Sequence, residues 1–102
     1  MKTTITTIAF ISLFTSAHAF AASDINRTIV TLGSQGTGYV QVAPVLSQPC
    51  KYSTVYLPDL SQPNAKGMMA VLLSAQARGA LIALTYDIDA SGICTANTVS
   101  AQ

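Results

Sequence analysis

The chain has 102 residues, half of them apolar and 9% charged, with five Lys or Arg, four Asp, no Glu and two Cys. A chain of this length holds one small domain with a thin stability margin. These totals exclude a multidomain enzyme, a basic nucleic-acid binder, an acidic disordered tail and a disulfide-dense scaffold.

Residues 1–21 read as a secretory signal peptide. Lys2 is their only Lys or Arg, an apolar run from Ile5 to Phe14 follows, and small residues close the segment. Ala17-His18-Ala19 and Ala19-Phe20-Ala21 both fit an A-x-A cleavage site, so cleavage is expected after Ala19 or Ala21. The apolar run falls short of the about 20 residues that span a bilayer, so no membrane span is expected after processing. Export to the periplasm or the extracellular space follows, with residues 22–102 as a single domain.

Processing removes Lys2 and leaves Arg27, Lys51, Lys66 and Arg78 against Asp24, Asp59, Asp87 and Asp89, a balanced charge that gives no steering toward phosphate. It also removes His18, the sole histidine. A Ser-His-Asp triad, a Cys-His pair and a histidine metal ligand are thereby excluded. Cys50 and Cys94 form one even pair in an exported chain and are expected to be disulfide-bonded. No C-x-x-C motif is present, so the bond reads as structural.

Arg27 to Leu32 is rich in β-branched residues and predicts a first strand. The glycine-rich Gly33 to Gly38 stretch predicts a turn, and Tyr39 to Val45 a second strand. Pro44 and Pro49 punctuate the next loop, and Ser53 to Leu57 predicts a third strand ended by Pro58. From Asn64 to Arg78 the period changes. Ala65, Met68, Met69, Leu72, Ala75 and Gln76 recur at helical spacing, with Ser61 or Asn64 as N-cap and Gly79 in the left-handed position after the end. Leu81 to Asp87 and Ile93 to Val99 predict two last strands around an Asp89-Ala90-Ser91-Gly92 turn. The fold class is therefore mainly β with one helix, in the order β-β-β-α-β-β. That is the order of the OB-fold, a five-stranded Greek-key barrel, and an open sheet with the helix on one face is the alternative.

A cysteine after the second strand (Cys50), the helical run Met69-Ala70-Val71-Leu72-Leu73-Ser74-Ala75, Gly79, a strand ending Tyr86-Asp87, and Gly92-Ile93-Cys94 together resemble a known pattern. It is that of small exported bacterial OB-fold proteins similar to the subtilase cytotoxin B subunit, and it covers most of Thr28 to Val99. The resemblance implies a disulfide between the region after the second strand and the last strand. It also implies a barrel of the kind that assembles into five-membered rings and binds cell-surface glycans. The chain is shorter than the toxin subunit and has one disulfide, and none of the toxin's glycan-contacting residues transfers to a position here.

Tyr39 and Gln41 share one face of the second strand, and Tyr52, Thr54 and Tyr56 one face of the third, giving an uncharged, Tyr-rich stripe. Such a stripe suits sugars, whose apolar faces stack on rings while hydroxyls and amides exchange hydrogen bonds. The plainer account has the same tyrosines lining the barrel or its rim. Asp87-Ile88-Asp89-Ala90-Ser91-Gly92 matches the first half of a calcium loop, but Thr98 stands where the bidentate Glu belongs, so a hairpin turn is expected and no metal or cofactor. Gly33 to Gly38 is neither a dinucleotide fingerprint nor a P-loop. These features predict a non-catalytic binding module, in the form of a homo-oligomer or not, whose partner is a glycan. The alternative is a periplasmic accessory protein that binds an envelope protein along a sheet edge. No nucleic-acid partner is expected.

Overall fold

The computed structural model describes residues 20–102. The signal-peptide reading of residues 1–21 therefore lies outside the described residues, apart from Phe20 and Ala21. The chain forms five strands in one mixed sheet and one helix: β1 (Phe20–Ser34), β2 (Gly38–Ala43), β3 (Val55–Tyr56), α1 (Pro63–Arg78), β4 (Ile82–Ile88) and β5 (Cys94–Ala101).

The first strand is much longer than the Arg27–Leu32 that β-branched content predicts. After Phe20, its opening residues, Ala21 to Asp24, are small or polar and have weak strand propensity. With Phe20 they are held by pairing antiparallel with Ile88 back to Leu84 of β4. The second half of β1 pairs antiparallel with β2. The change of partner is accommodated by irregularities between Asp24 and Arg27 and between Ile29 and Thr31. Asn26 takes φ 55° at the first of them, a conformation that asparagine tolerates better than most residues.

Hydrogen-bonded neighbours run β1-β2-β3-β5-β4, and β4 returns to β1. All ladders are antiparallel except β3 with β5. One face of this circuit carries the core, in which Val40, Val55, Leu57, Ile82, Leu84, Tyr86 and Cys94 are essentially inaccessible. In β4 the alternation of Ile82, Leu84, Tyr86 and Ile88 is the period-2 pattern of a strand with one buried face.

The helix buries Ala65, Met68, Leu72 and Ala75 and packs against β5 and β1. Two residues of the predicted apolar face differ, since Met69 is half-buried and Gln76 exposed. The predicted N-caps are also corrected. Gln62 occupies the N-cap with no side-chain bond, Pro63 supplies a preset φ in the first turn, and Ser61 instead donates its N–H to Asp59 Oδ1 at 2.9 Å. Gly79 ends the helix at φ 66°, and Ala80 N–H closes on Ala75 O at 2.9 Å, as the sequence predicts.

The largest departure lies in the third strand. Ser53–Leu57 is predicted, but β3 is two residues long and is preceded by a 3-10 turn, Lys51–Ser53. Tyr52 and Ser53 both adopt left-handed backbone, at φ 61° and 53°, so Tyr52 is not on the strand and does not share its face with Thr54 and Tyr56. The physical reason is tertiary. Cys50 is bonded to Cys94 (Cα–Cα 5.5 Å), and Lys51 N–H donates to Gly92 O at 2.8 Å, which fixes the chain before it can enter the sheet.

Candidate binding face on strands two and three

Strands β2 and β3 pair through Tyr39 opposite Tyr56 and Val40 opposite Val55. Because successive side chains alternate, Val40 and Val55 enter the core and the two tyrosines stand side by side on the outer face. Tyr39 also lies opposite Gly33 of β1. A Cβ on Gly33 would sit 2.6 Å from Tyr39 Oη and 2.7 Å from its Cζ, so the glycine provides the bed on which the ring lies. The substitution Gly33→Ala is expected to lift the Tyr39 ring while the ladder persists, because the obstructed atoms are the far end of a side chain. The check is a shift of the Tyr39 ring proton resonances with a loss of about 1 kcal/mol or less in unfolding free energy.

Gln41 and Thr54 are next along the same face. Gln41 Nε2 donates to Thr54 Oγ1 at 3.0 Å and to the Tyr52 carbonyl at 3.4 Å, and Thr54 Oγ1 donates to that carbonyl at 2.8 Å. Thr54 is buried by this arrangement. The two residues thus act as a brace for the left-handed turn, which corrects the expectation of an exposed Thr54 on a continuous stripe. Ser53 N–H to Cys50 O at 2.9 Å and Thr54 N–H to Lys51 O at 3.3 Å complete the brace. A non-glycine residue held at positive φ costs on the order of 1 kcal/mol, and two in succession persist only where the surroundings over-determine them. The outcome is an outward-facing Tyr52, 69% exposed, with Lys51 Nζ 5.9 Å from its ring centroid.

At the other end of the tyrosine pair an open groove of about 460 Å3 is lined by Gln35, Thr37, Tyr56, Leu57, Ile93 and Thr95. The β1–β2 loop supplies Gln35 and Thr37, pinned by Gln35 N–H to Thr37 O at 2.9 Å, with Gly36 at φ 77° making the turn. The β4–β5 loop supplies Ile93. No charged residue lines this groove, and its polar groups are two hydroxyls, an amide and a phenol. Of the predicted site residues, then, Tyr39 and Tyr56 come together beside the groove, Gln41 and Thr54 form the brace, and Tyr52 stands apart on its own turn.

The exposed Asp89 carboxylate folds back onto its own turn. Oδ1 accepts from Ser91 N–H at 2.9 Å, Ser91 Oγ at 2.6 Å and Ile93 N–H at 3.0 Å. The Ser91 hydroxyl and then the Ile93 amide hold this carboxyl below its ordinary pKa. Among the described residues no group of three or more His, Cys, Asp or Glu is placed to hold a metal ion.

One constellation has no signature in the sequence. Asp24, 4% exposed, accepts from Tyr86 Oη at 2.6 Å, from Arg27 Nη2 at 3.0 Å, and from Ser47 N–H at 3.3 Å on each oxygen. Burial opposes its charge, but the Tyr86, Ser47 and Arg27 contacts outweigh it and lower the pKa, while burial and the Asp24 contact raise that of Tyr86. Arg27 Nη1 also donates to Ile25 O at 2.7 Å, and its Nε is buried without a partner. No residue of the cluster lines this groove, and the cluster ties the β2–β3 loop to β1 and β4.

Compared with known proteins, the chain matches no family model, no curated protein and no solved structure.

Proposed function

We propose that this chain is an exported, non-catalytic OB-fold module that binds a glycan on the outer face of β2 and β3. The observation that carries the reading is the Tyr39–Tyr56 pair at the edge of an uncharged groove built by the β1–β2 and β4–β5 loops. In OB-folds the second and third strands and these two loops form the ligand face. The strand order β1-β2-β3-β5-β4, the parallel β3–β5 pair and the helix between β3 and β4 support a Greek-key barrel of that kind. Paired rings stack on the apolar faces of sugars, and Gln35, Thr37 and Thr95 exchange hydrogen bonds with hydroxyls.

Export is supported by the disulfide, since such bonds persist in oxidising compartments, and among the described residues no helix is long and apolar enough to cross a membrane. Phe20 and Ala21 stand in register with Ile88 and Asp87, which favours cleavage after Ala19 over cleavage after Ala21. A binding role without catalysis fits three of the four carboxylates, of which Asp24 is enclosed and Asp59 and Asp89 are committed to their own turns, while Asp87 is exposed on β4.

Mature, oxidised protein probed on a glycan array is expected to retain a defined set of sugars. Tyr39→Ala and Tyr56→Ala should each weaken that binding about tenfold or more, as removal of a stacking aromatic does. An array with no retained sugar, or tyrosine variants that bind as well as the parent, would remove the reading. Light scattering on the same sample gives the solution mass, and a ring-sized mass adds avidity to weak repeated sites.

A further inference from the structure

The two sides of β5 are satisfied differently. Its first residues have neighbours on both sides, because Cys94 and Thr95 pair with β3 as well as with β4. From Thr98 to Ala101 only β4 pairs with it, and Asn97 is skipped at an irregularity in that ladder. The register shows which backbone groups this leaves over. Gln102 N–H donates to Leu81 O at 2.8 Å, and Ser100 and Thr98 stand opposite Ala83 and Thr85, so these positions direct their N–H and C=O groups toward β4. Val99 and Ala101 therefore direct theirs the other way, where no second strand pairs with them. They face an open groove of about 450 Å3 whose far wall is α1, contributed by Ala70, Val71, Ser74 and Arg78.

We propose that this edge docks an extended peptide strand of another protein, with an acidic side chain of that strand facing Arg78. Main-chain pairing to Val99 and Ala101 supplies the affinity, as in other strand additions to an open edge, and the small side chains of Ala70 and Ser74 leave room for the incoming strand. The sign of the partner follows from Arg78. Its Nε contacts Ser74 Oγ at 3.3 Å, and among the described residues the single ion pair is Arg27 with Asp24, which leaves Arg78 with no carboxylate. A second copy joined edge to edge would present Asn97 to Ala101 and the same helix wall, which contain no acidic residue. A heterologous acidic strand is the complementary occupant. The surface is separate from the Tyr39–Tyr56 face and stands or falls independently of glycan binding.

The test uses the full mature protein and two synthetic six-residue Thr/Val peptides, one with a central Asp and one with a central Lys, followed by backbone amide NMR. The aspartate peptide is expected to shift the Val99 and Ala101 amides and slow their hydrogen exchange, leaving Tyr39 and Tyr56 unmoved. It should bind about threefold more tightly than the lysine peptide at low salt, the worth of one exposed ion pair, and Arg78→Gln should erase that difference. Ala101→Pro removes an outward N–H without touching a bond to β4 and should abolish binding of both peptides in a folded domain. Val99 and Ala101 amides unmoved by either peptide would overturn the proposal, as would equal binding of the two peptides by the parent protein. Concentration-dependent protection of the same amides without any peptide would assign the edge to a second copy and overturn it equally.

Discussion

Replacing Cys50 and Cys94 together by Ala is expected to destabilise the oxidised domain by about 4 kcal/mol, which for a domain this small is about 15–30 °C in melting temperature. The size follows from the 44-residue separation of the two cysteines. Closing a loop of that length removes many conformations from the unfolded chain and few from the folded one. The loss is comparable to the whole stability of many single domains, so the variant should be largely unfolded at modest denaturant. Chemical denaturation of parent and variant, both without reductant, reads the difference directly. A loss below about 1 kcal/mol would mean that the remaining contacts constrain the unfolded chain as well as the bond does.

The same substitution has a local consequence beyond chain entropy. Cys50 anchors the entry to the left-handed Tyr52-Ser53 turn, and Cys94 is the β5 residue that pairs with Val55 of β3. Without the bond, Lys51 N–H to Gly92 O is the remaining tie between the turn and the β4–β5 loop. The two residues at positive φ then have less holding them in place.

How much of this fold was legible in the sequence depends on how local its cause is. The helix was legible because Ala65, Met68, Leu72 and Ala75 repeat at its own period and Gly79 is suited to the backbone that ends it. The buried alternation of Ile82, Leu84 and Tyr86 announced β4 for the same reason. Tyr52 and Ser53 were misplaced because Tyr-Ser-Thr-Val-Tyr alternates like a strand, and nothing local shows that a disulfide and Gly92 intervene. The first half of β1 was hidden because its strand state is imposed by β4, more than fifty residues away. At the candidate site, alternation put Tyr39 with Gln41 on one face of β2 without saying which face lay outward. That Tyr56 stands opposite Tyr39, and that Gly33 makes room for it, depends on register, which period alone does not set. The Asp24 cluster joins residues 62 apart in sequence and was beyond any motif.

That cluster carries the second large effect. Asp24→Ala is expected to cost about 3–5 kcal/mol, because it leaves the Tyr86 hydroxyl, one arm of Arg27 and the Ser47 amide without their shared acceptor in a buried setting. Tyr86→Phe removes one donor and leaves the carboxylate with Arg27 and Ser47, so its cost should be smaller, about 1–3 kcal/mol. The two substitutions should not add, since each removes the same 2.6 Å bond, and a double-mutant cycle measures the shortfall. The pH dependence has a definite sign. The folded pKa of Asp24 lies below that of the unfolded chain, so its contribution is fully present above the unfolded value, near about 3.9, and is lost as pH falls through the folded value. Asp59 and Asp89 are also lowered, first by the Ser61 amide and the Ser91 hydroxyl respectively, and add acid sensitivity to every variant. The difference in denaturation midpoint between the parent and Asp24→Asn therefore isolates Asp24, and it should shrink steadily below about pH 4. A difference that stays constant down to pH 2 would show that the charge on Asp24 does not hold the β2–β3 loop against β1 and β4.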